Sequence, residues 1–256
     1  EVFRETVLHF QRILKVEPEL LAHDLHPDYL STQYAMEQEG IDRVGVQHHH
    51  AHMASCLAEH GWEGKALGVV FDGTGYGLDG CLWGGEFLVG DGFSFLRRAH
   101  FAYLPLPGGA AAILNPYRMA ASYLYQAYGE DIHDLNLSLL DRIPPAELEV
   151  LLKVIGQGIN APLTSGCGRL FDAVAAMVGL RDRISFEGQA AMELEMALEV
   201  GPDEAYDYQV LEGREAWVLD WRPLIREVVE DLGRGREVGL ISLKFHNALV
   251  GVVVDL

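Results

Sequence analysis

The sequence departs from ordinary globular composition at Val46-Gln47-His48-His49-His50-Ala51-His52, where four of five consecutive residues are histidines. Burying four neutral imidazoles requires a hydrogen-bond partner for each ring, so core packing explains this run poorly. The mostly apolar segment that follows predicts a helix over 48–60, ended by Gly61. In that helix His48 and His52 lie one turn apart on one face, a spacing with which two imidazoles can share one metal. The alternative is a solvated helix start with a chance histidine run.

A third candidate ligand follows a predicted strand further along the chain. The apolar run 67–71 is typical of a buried strand and stops at Asp72. With a strand over 43–47 and the helix over 48–60, it predicts a right-handed crossover unit whose two strands are parallel. Asp72 would then lie at the same sheet edge as His48, where open α/β sheets bind their ligands. Two histidines and a carboxylate favour a divalent iron or zinc ion over calcium or magnesium.

Composition limits the classes of protein that the sequence can represent. The 256 residues suit one large domain or two lobes, and a net charge of −19 disfavours general nucleic-acid binding. The three cysteines lie far apart without a CxxC motif, which is typical of reduced cytosolic thiols. No run approaches the roughly 18 apolar residues of a membrane span, and the first residues do not resemble a signal peptide. We therefore expect a cytoplasmic protein without a membrane partner.

The order of predicted elements indicates an α/β protein with a second, helical part. Residues 20–71 show a strand–helix–strand–helix–strand pattern, which is typical of doubly wound folds. Asp24 and His26 end the first of these strands, where they could support the metal or cap a helix. An antiparallel meander is predicted after Asp72, and mostly helices from 115 onward. We assign 1–100 to a first lobe, with the metal-binding α/β unit and the meander, and 101–256 to a helical second lobe.

Two glycine-rich segments are candidate nucleotide contacts. The first, Gly73-Thr74-Gly75-Tyr76-Gly77, follows a strand but precedes a hairpin, so it is neither a dinucleotide-binding fingerprint nor a P-loop. Its backbone amides and the Thr74 hydroxyl could approach an anion. The second, Ser165-Gly166-Cys167-Gly168, opens a helix whose N-terminal amides favour an anion or a ribose, with Asp172 one turn inside. A plain loop and a salt-bridged helix residue explain this second segment equally well.

These segments together resemble one family, the HypF carbamoyltransferases of nickel–iron hydrogenase maturation, in their C-terminal region. The resemblance also includes the motifs at 83–87 (Trp-Gly-Gly-Glu-Phe), 186–193 (Phe-Glu-Gly-Gln-Ala-Ala-Met-Glu), 23–29 and 168–174, and so spans nearly the whole chain. It implies an actin/sugar-kinase-like ATPase fold, shared with TsaD-like tRNA-modifying proteins and with antibiotic O-carbamoyltransferases.

The resemblance also implies a reaction and its residues. In that family, carbamoyl phosphate and ATP give carbamoyl adenylate in an upstream domain. The region seen here then transfers the carbamoyl group to the C-terminal cysteine of HypE, so a HypE-like partner and bound ATP or carbamoyl adenylate are implied. The matching positions for the catalytic metal ligands are His48, His52 and Asp72. The matching positions for nucleotide contacts are Gly73, Thr74, Gly75, Gly168, Arg169 and Asp172.

The sequence also departs from the family pattern. Segments expected before Glu1 and after Leu256, including the last nucleotide loop of the second lobe, are not in it, so we expect a fold incomplete at both ends. Ala110 stands where the family usually has an aspartate. These departures favour a first alternative function, an inactive metal- and nucleotide-binding remnant of the transferase domain. A second alternative, a TsaD-like tRNA-modifying protein, is disfavoured by the acidic composition and by Asp72.

Overall fold

The computed structural model describes residues 2–256. The helices are α1 (Val2–Leu14), α2 (Leu30–Glu37), α3 (His48–Glu59), α4 (Ala110–Leu114), α5 (Pro116–Tyr128), α6 (Ser138–Arg142), α7 (Pro145–Gln157), α8 (Cys167–Met177), α9 (Gln189–Met196), α10 (Arg222–Gly233) and α11 (Val238–Asp255). The strands are β1 (Leu20–Asp24), β2 (Asp42–Val46), β3 (Ala66–Tyr76), β4 (Leu82–Gly90), β5 (Phe95–Phe101), β6 (Leu104–Pro105), β7 (Leu163–Thr164), β8 (Gln209–Leu211) and β9 (Trp217–Asp220). A 3-10 helix, Gly129–Asp134, follows α5.

The first strands form a small sheet of their own. β1 and β2 are parallel, from the pair Leu20–Asp42 to the pair Asp24–Val46, and α2 connects them. This confirms the first half of the predicted doubly wound pattern. The predicted crossover unit with β2 and β3 parallel is wrong, because β3 pairs antiparallel with β4 and belongs to the other sheet. The short turn between β3 and β4 brings those strands together locally, and α3 packs against β3 without placing that strand beside β2.

The other seven strands form a single sheet. Its order is β6-β7-β4-β5-β9-β8, and β3 pairs antiparallel with β4 along the length of that strand. The meander predicted after Asp72 is confirmed in the antiparallel pair of β4 and β5, although two of its predicted short strands merge into β4. The predicted loop at 73–77 is largely strand, since β3 continues to Tyr76 with a register shift between Phe71 and Gly75.

The main core lies between this sheet and the pair α5 and α8. Alanines and larger apolar side chains of both helices are fully buried, among them Met119, Ala120, Leu124, Leu170 and Ala173. Each large side chain contributes roughly 1.5–3 kcal/mol by burial. The sheet joins residues on both sides of position 100, because β5 pairs with β9 and β4 with β7. The division into lobes at residue 100 stays a prediction.

The last helix corrects one expectation about the sequence. α11 has 18 residues with a mean hydropathy of 1.4, so by length and composition it could cross a membrane. The expectation that no segment meets that criterion is therefore wrong. A buried core helix meets the same criterion, and α11 buries one face in the main core through Ile241, Phe245, Ala248, Leu249 and Val252. Its packing is that of a core helix.

Candidate functional site

The three predicted metal ligands come together. α3 begins at His48 directly after β2, and Gln47 caps it by accepting a hydrogen bond from the His50 N–H at 2.9 Å. His48 Nε2 and His52 Nε2 are 3.2 Å apart. Oδ2 of Asp72, on β3, lies 3.1 Å from His48 Nε2 and 3.7 Å from His52 Nε2. All three ligand atoms lie within 4.8 Å of one another, so they could hold one metal ion.

Asp24 orients the first of these histidines. Its Oδ2 lies 2.7 Å from His48 Nδ1, and its Oδ1 accepts a hydrogen bond from the His26 N–H at 2.8 Å. A carboxylate on the far nitrogen of a ligand histidine fixes the ring and directs the other nitrogen at the metal. Of the two roles considered for Asp24, partner of the candidate metal ligand is the one that these contacts support.

The surroundings of His48 and Asp72 favour a positive charge next to the Asp72 carboxylate. The hydrogen bond to Asp72 raises the pKa of His48 to about 9, against the opposing effect of burial. Burial acts to raise the pKa of Asp72, but hydrogen bonds from His48 and the Gly73 N–H lower it to about 2. An imidazolium therefore faces a carboxylate where a metal cation would have the same electrostatic effect.

The other two histidines of the run are buried. Nε2 of His50 lies 2.8 Å from the Asp91 carbonyl oxygen, and its ring packs against Phe95. His49 is fully buried, and burial lowers its pKa to about 4, so its ring is neutral. Among residues 2–256, no atom forms a hydrogen bond with His49 Nε2, which lies 3.8 Å from Asp72 Oδ2. The histidine run thus contains two candidate ligands, His48 and His52, and two residues that are buried in the fold, His49 and His50.

The glycines of β3 allow side chains to approach the strand closely. A Cβ at Gly75 would lie 2.5 Å from His49 Cε1 and 2.7 Å from His48 Cδ2. A Cβ at Gly77 would lie 2.1 Å from Trp83 Nε1. Both distances are too short for any other residue, so these glycines are explained by packing against rings. Contact of Gly73, Thr74 and Gly75 with a nucleotide stays a prediction.

The start of α8 contacts the end of β3 directly. A Cβ at Gly168 would lie 3.0 Å from Gly73 Cα, and a Cβ at Gly166 would lie 2.5 Å from the Gly73 oxygen. Arg169 and Asp172 form a buried ion pair, with Arg169 Nη2 3.0 Å from Asp172 Oδ2. Burial raises the pKa of Asp172 to about 6, although Arg169 opposes the change. The structure therefore brings the two predicted nucleotide segments together beside Asp72.

Sequence reasoning missed a buried charged network next to this contact. Glu86 is fully buried and accepts hydrogen bonds from Ser165 Oγ at 2.6 Å and Arg97 Nε at 2.6 Å. The Arg97 guanidinium lies 3.8 Å from the Trp83 ring centroid. The network fixes Ser165, and with it the turn before α8, against β4. The signal that could have indicated it is a single acid, Glu86, in an otherwise apolar strand.

The candidate ligands line two open grooves. One groove of 380 Å³ is lined by β1, β2 and α3, including Asp24, His48 and His52. A second groove of 490 Å³ is lined by α3 and β3, including His52, Cys56 and Asp72. The His52 side chain is 57% exposed, so a molecule in either groove can reach it.

Comparison with known families places this site in context. Residues 1–59 match the family described as HypF Kae1-like domain, and residues 68–256 match Carbamoyltransferase, Kae1-like Domain, second subdomain. Carbamoyltransferase HypF2 of Cupriavidus necator is 47% identical over 76% of this chain and 24% of its own length. Carbamoyltransferase HypF of a Synechocystis species is 38% identical over 99% of this chain and 35% of its own. The chain thus spans about a quarter to a third of these relatives.

Solved structures agree with the family match. One, titled as full-length HypF in the phosphate- and nucleotide-bound form, has a TM-score of 0.92 and 42% identity, covering 99% of this chain and 32% of that one. HypF of T. kodakarensis has a TM-score of 0.83 and 33% identity, covering 97% of this chain and 33% of that one. The fold is the actin/sugar-kinase-like ATPase fold that the resemblance implied. The chain belongs to the HypF carbamoyltransferase family.

Proposed function

We propose that this chain carries out carbamoyl transfer from carbamoyl adenylate to the C-terminal cysteine of a HypE-like partner, in hydrogenase cyanide-ligand maturation. The observation that carries the proposal is the meeting of His48, His52 and Asp72, with Asp24 behind His48, in a chain of this family. These residues come from three elements, β1, α3 and β3, so their convergence depends on the fold. The open grooves on either side leave room for a substrate and for a partner's tail.

The donor set fits a divalent iron or zinc ion. Two imidazole nitrogens and a carboxylate oxygen suit these metals, and the carboxylate of Asp24 supports one imidazole as metal sites require. When bound, the ion supplies a Lewis acid that polarises a carbonyl or anchors a phosphate oxygen. His48, His52 and Asp72 would hold it, and the exposed side of His52 would face the substrate.

ATP or carbamoyl adenylate would bind along the contact between β3 and α8. The two segments touch, so a nucleotide held by both would lie at the edge of this contact, next to Asp72. The amides at the start of α8 favour phosphate, and Arg169 adds a positive charge there. Among residues 2–256, Nε and Nη1 of Arg169 have no hydrogen-bond partner, but both atoms are buried, so Arg169 would act on a nucleotide through its charge and not by direct contact in this conformation.

The nucleophile would come from the partner. Burial raises the pKa of the Cys167 thiol well above its usual range, so that thiol is unreactive. The partner's cysteine thiolate would attack the carbamoyl carbon, forming a C–S bond while the bond from that carbon to the adenylate oxygen breaks. AMP leaves with the bonding pair, and the thiol proton passes to solvent.

The test places this chain inside a full-length relative. It replaces the corresponding region of the Synechocystis relative, and the chimera receives carbamoyl phosphate, ATP and a HypE-like partner. Intact-mass measurement should show a carbamoylated partner cysteine with wild-type chain and with the control His60→Ala, and almost none with His48→Ala. Transfer by His48→Ala at the wild-type rate would reject the proposal. Metal and nucleotide binding without transfer would favour the inactive remnant instead.

A further inference from the structure

His49 has no role in the site described so far. Its ring is fully buried, lies 6.2 Å from the Trp83 ring between centroids, and contacts the strand at Gly75. Its Nε2 has no hydrogen-bond partner among residues 2–256. Buried polar atoms are almost always paired, so an unpaired one beside a candidate metal centre calls for an explanation.

The neighbouring amide of Gln47 determines where the proton of His49 lies. Gln47 Oε1 accepts from the His50 N–H at 2.9 Å, which fixes the direction of the amide. Gln47 Nε2 therefore donates to the Tyr76 carbonyl oxygen at 3.1 Å and lies 3.1 Å from His49 Nδ1. An amide nitrogen can only donate, so His49 Nδ1 must accept. A proton on Nδ1 would oppose the amide N–H of Gln47, so the ring proton lies on Nε2.

The protonated nitrogen faces Asp72. His49 Nε2 lies 3.8 Å from Asp72 Oδ2, which at present is nearest to His48 Nε2 at 3.1 Å. A metal bound to His48 and His52 would be coordinated by the ring nitrogens that now lie near this oxygen, so those nitrogens could no longer donate a hydrogen bond to it. His49 would remain as the side-chain donor next to Oδ2.

We propose that His49 is a positioning residue, a fixed Nε2–H donor that holds the Asp72 carboxylate in the orientation needed for metal binding. The inference rests on the metal site of the proposed function, and it excludes His49 as a ligand. Coordination through Nε2 would require a proton on Nδ1, which would then oppose the N–H of Gln47 at 3.1 Å. Trp83 and the close strand at Gly75 prevent the ring from turning away.

The first experiment reads the proton directly and needs no metal. Long-range proton–nitrogen NMR correlation on histidine-labelled protein, with the His49 signals assigned by comparison with His49→Gln, distinguishes the two neutral tautomers. We expect the Nε2–H tautomer in the metal-free protein. The Nδ1–H tautomer or a charged ring at neutral pH would overturn the proposal.

The second experiment measures zinc affinity by competition with a chromophoric chelator. His49→Leu removes the donor and should weaken zinc binding about 10- to 100-fold. His49→Gln places an amide N–H near the position of Nε2 and should restore most of that loss. His50→Gln is the matched control, because His50 is buried in the same run but faces the Asp91 carbonyl oxygen.

The outcomes separate this inference from the metal site itself. Zinc affinity that is unchanged in His49→Leu but weakened in His52→Ala would overturn the role of His49 and leave the metal site standing. Equal affinity in wild type and His52→Ala would reject the metal site. A loss in His50→Gln as large as in His49→Leu would indicate a general packing effect and would also overturn the proposal. If His49→Leu does not fold, the tautomer measurement decides.

Discussion

Glu86→Ala should destabilise the fold strongly, because Glu86 is fully buried and pairs with a largely buried cation. Its carboxylate accepts from Arg97 Nε at 2.6 Å, Ser165 Oγ at 2.6 Å and the Gly84 N–H at 3.1 Å. The Arg97 side chain is only 14% exposed, so the substitution leaves a poorly solvated guanidinium whose remaining carboxylate partner is the partly exposed Asp79, at 3.4 Å. Breaking a buried pair in this way costs about 3–5 kcal/mol. We expect a loss of that size in the free energy of unfolding.

Urea unfolding of matched variants measures this loss. Glu86→Gln keeps an oxygen acceptor but loses the charge, and should cost about 1.5–3 kcal/mol. The double variant Glu86→Leu with Arg97→Met removes both charges, and should be more stable than Glu86→Ala because the only carboxylate that loses its partner, Asp79, is partly exposed to solvent. A loss below about 1 kcal/mol for Glu86→Ala, the size of an exposed ion pair, would refute the reasoning.

Three further predictions concern the site. His52→Ala should lose most bound divalent metal by elemental analysis, whereas His60→Ala should keep it; equal content in both would contradict the site. ATP should bind by calorimetry and more weakly in Arg169→Met, with Arg183→Met as control; no heat at millimolar ATP would contradict the nucleotide site. Burial raises the pKa of Asp172 to about 6, so protonation stabilises the folded state, and this contribution is lost as the pH rises from about 4 to above 6. The free energy of unfolding of Asp172→Asn, relative to wild type, should therefore increase by up to about 3 kcal/mol as the pH rises over that range, as measured by thermal unfolding. A difference between the two proteins that does not change with pH would contradict this.

The parts of the site that the sequence predicted depend on short spacings. One helical turn separates His48 from His52, and the apolar residues before Asp72 are enough to predict the first part of β3. The parallel pair of β1 and β2 follows from a short helical crossover between them. For this reason the three candidate ligands lie close together as expected, even though the sheet that contains Asp72 was predicted wrongly.

The errors arose where a local pattern fits two structures. A buried apolar strand looks the same in parallel and antiparallel sheets, so the partner of β3 could not be deduced from its own residues. Alternating glycines suit both an anion-binding loop and a strand crowded by rings, as at Gly75. The bond between Glu86 and Ser165 joins residues 79 positions apart, and no local pattern indicates it. The tautomer of His49 likewise depends on a side chain and a carbonyl from different elements.

The candidate ligands are divided between the two segments that the family models recognise separately. His48 and His52 lie within 1–59, and Asp72 lies within 68–256. An ion bound by all three would therefore be a crosslink between two subdomains, and it would restrict the chain entropy of the connecting residues as a disulfide does. Chelation would remove that crosslink and leave the packing of α3 on β3 and β4, such as Met53 against Val70 and Leu88, to hold the two segments together.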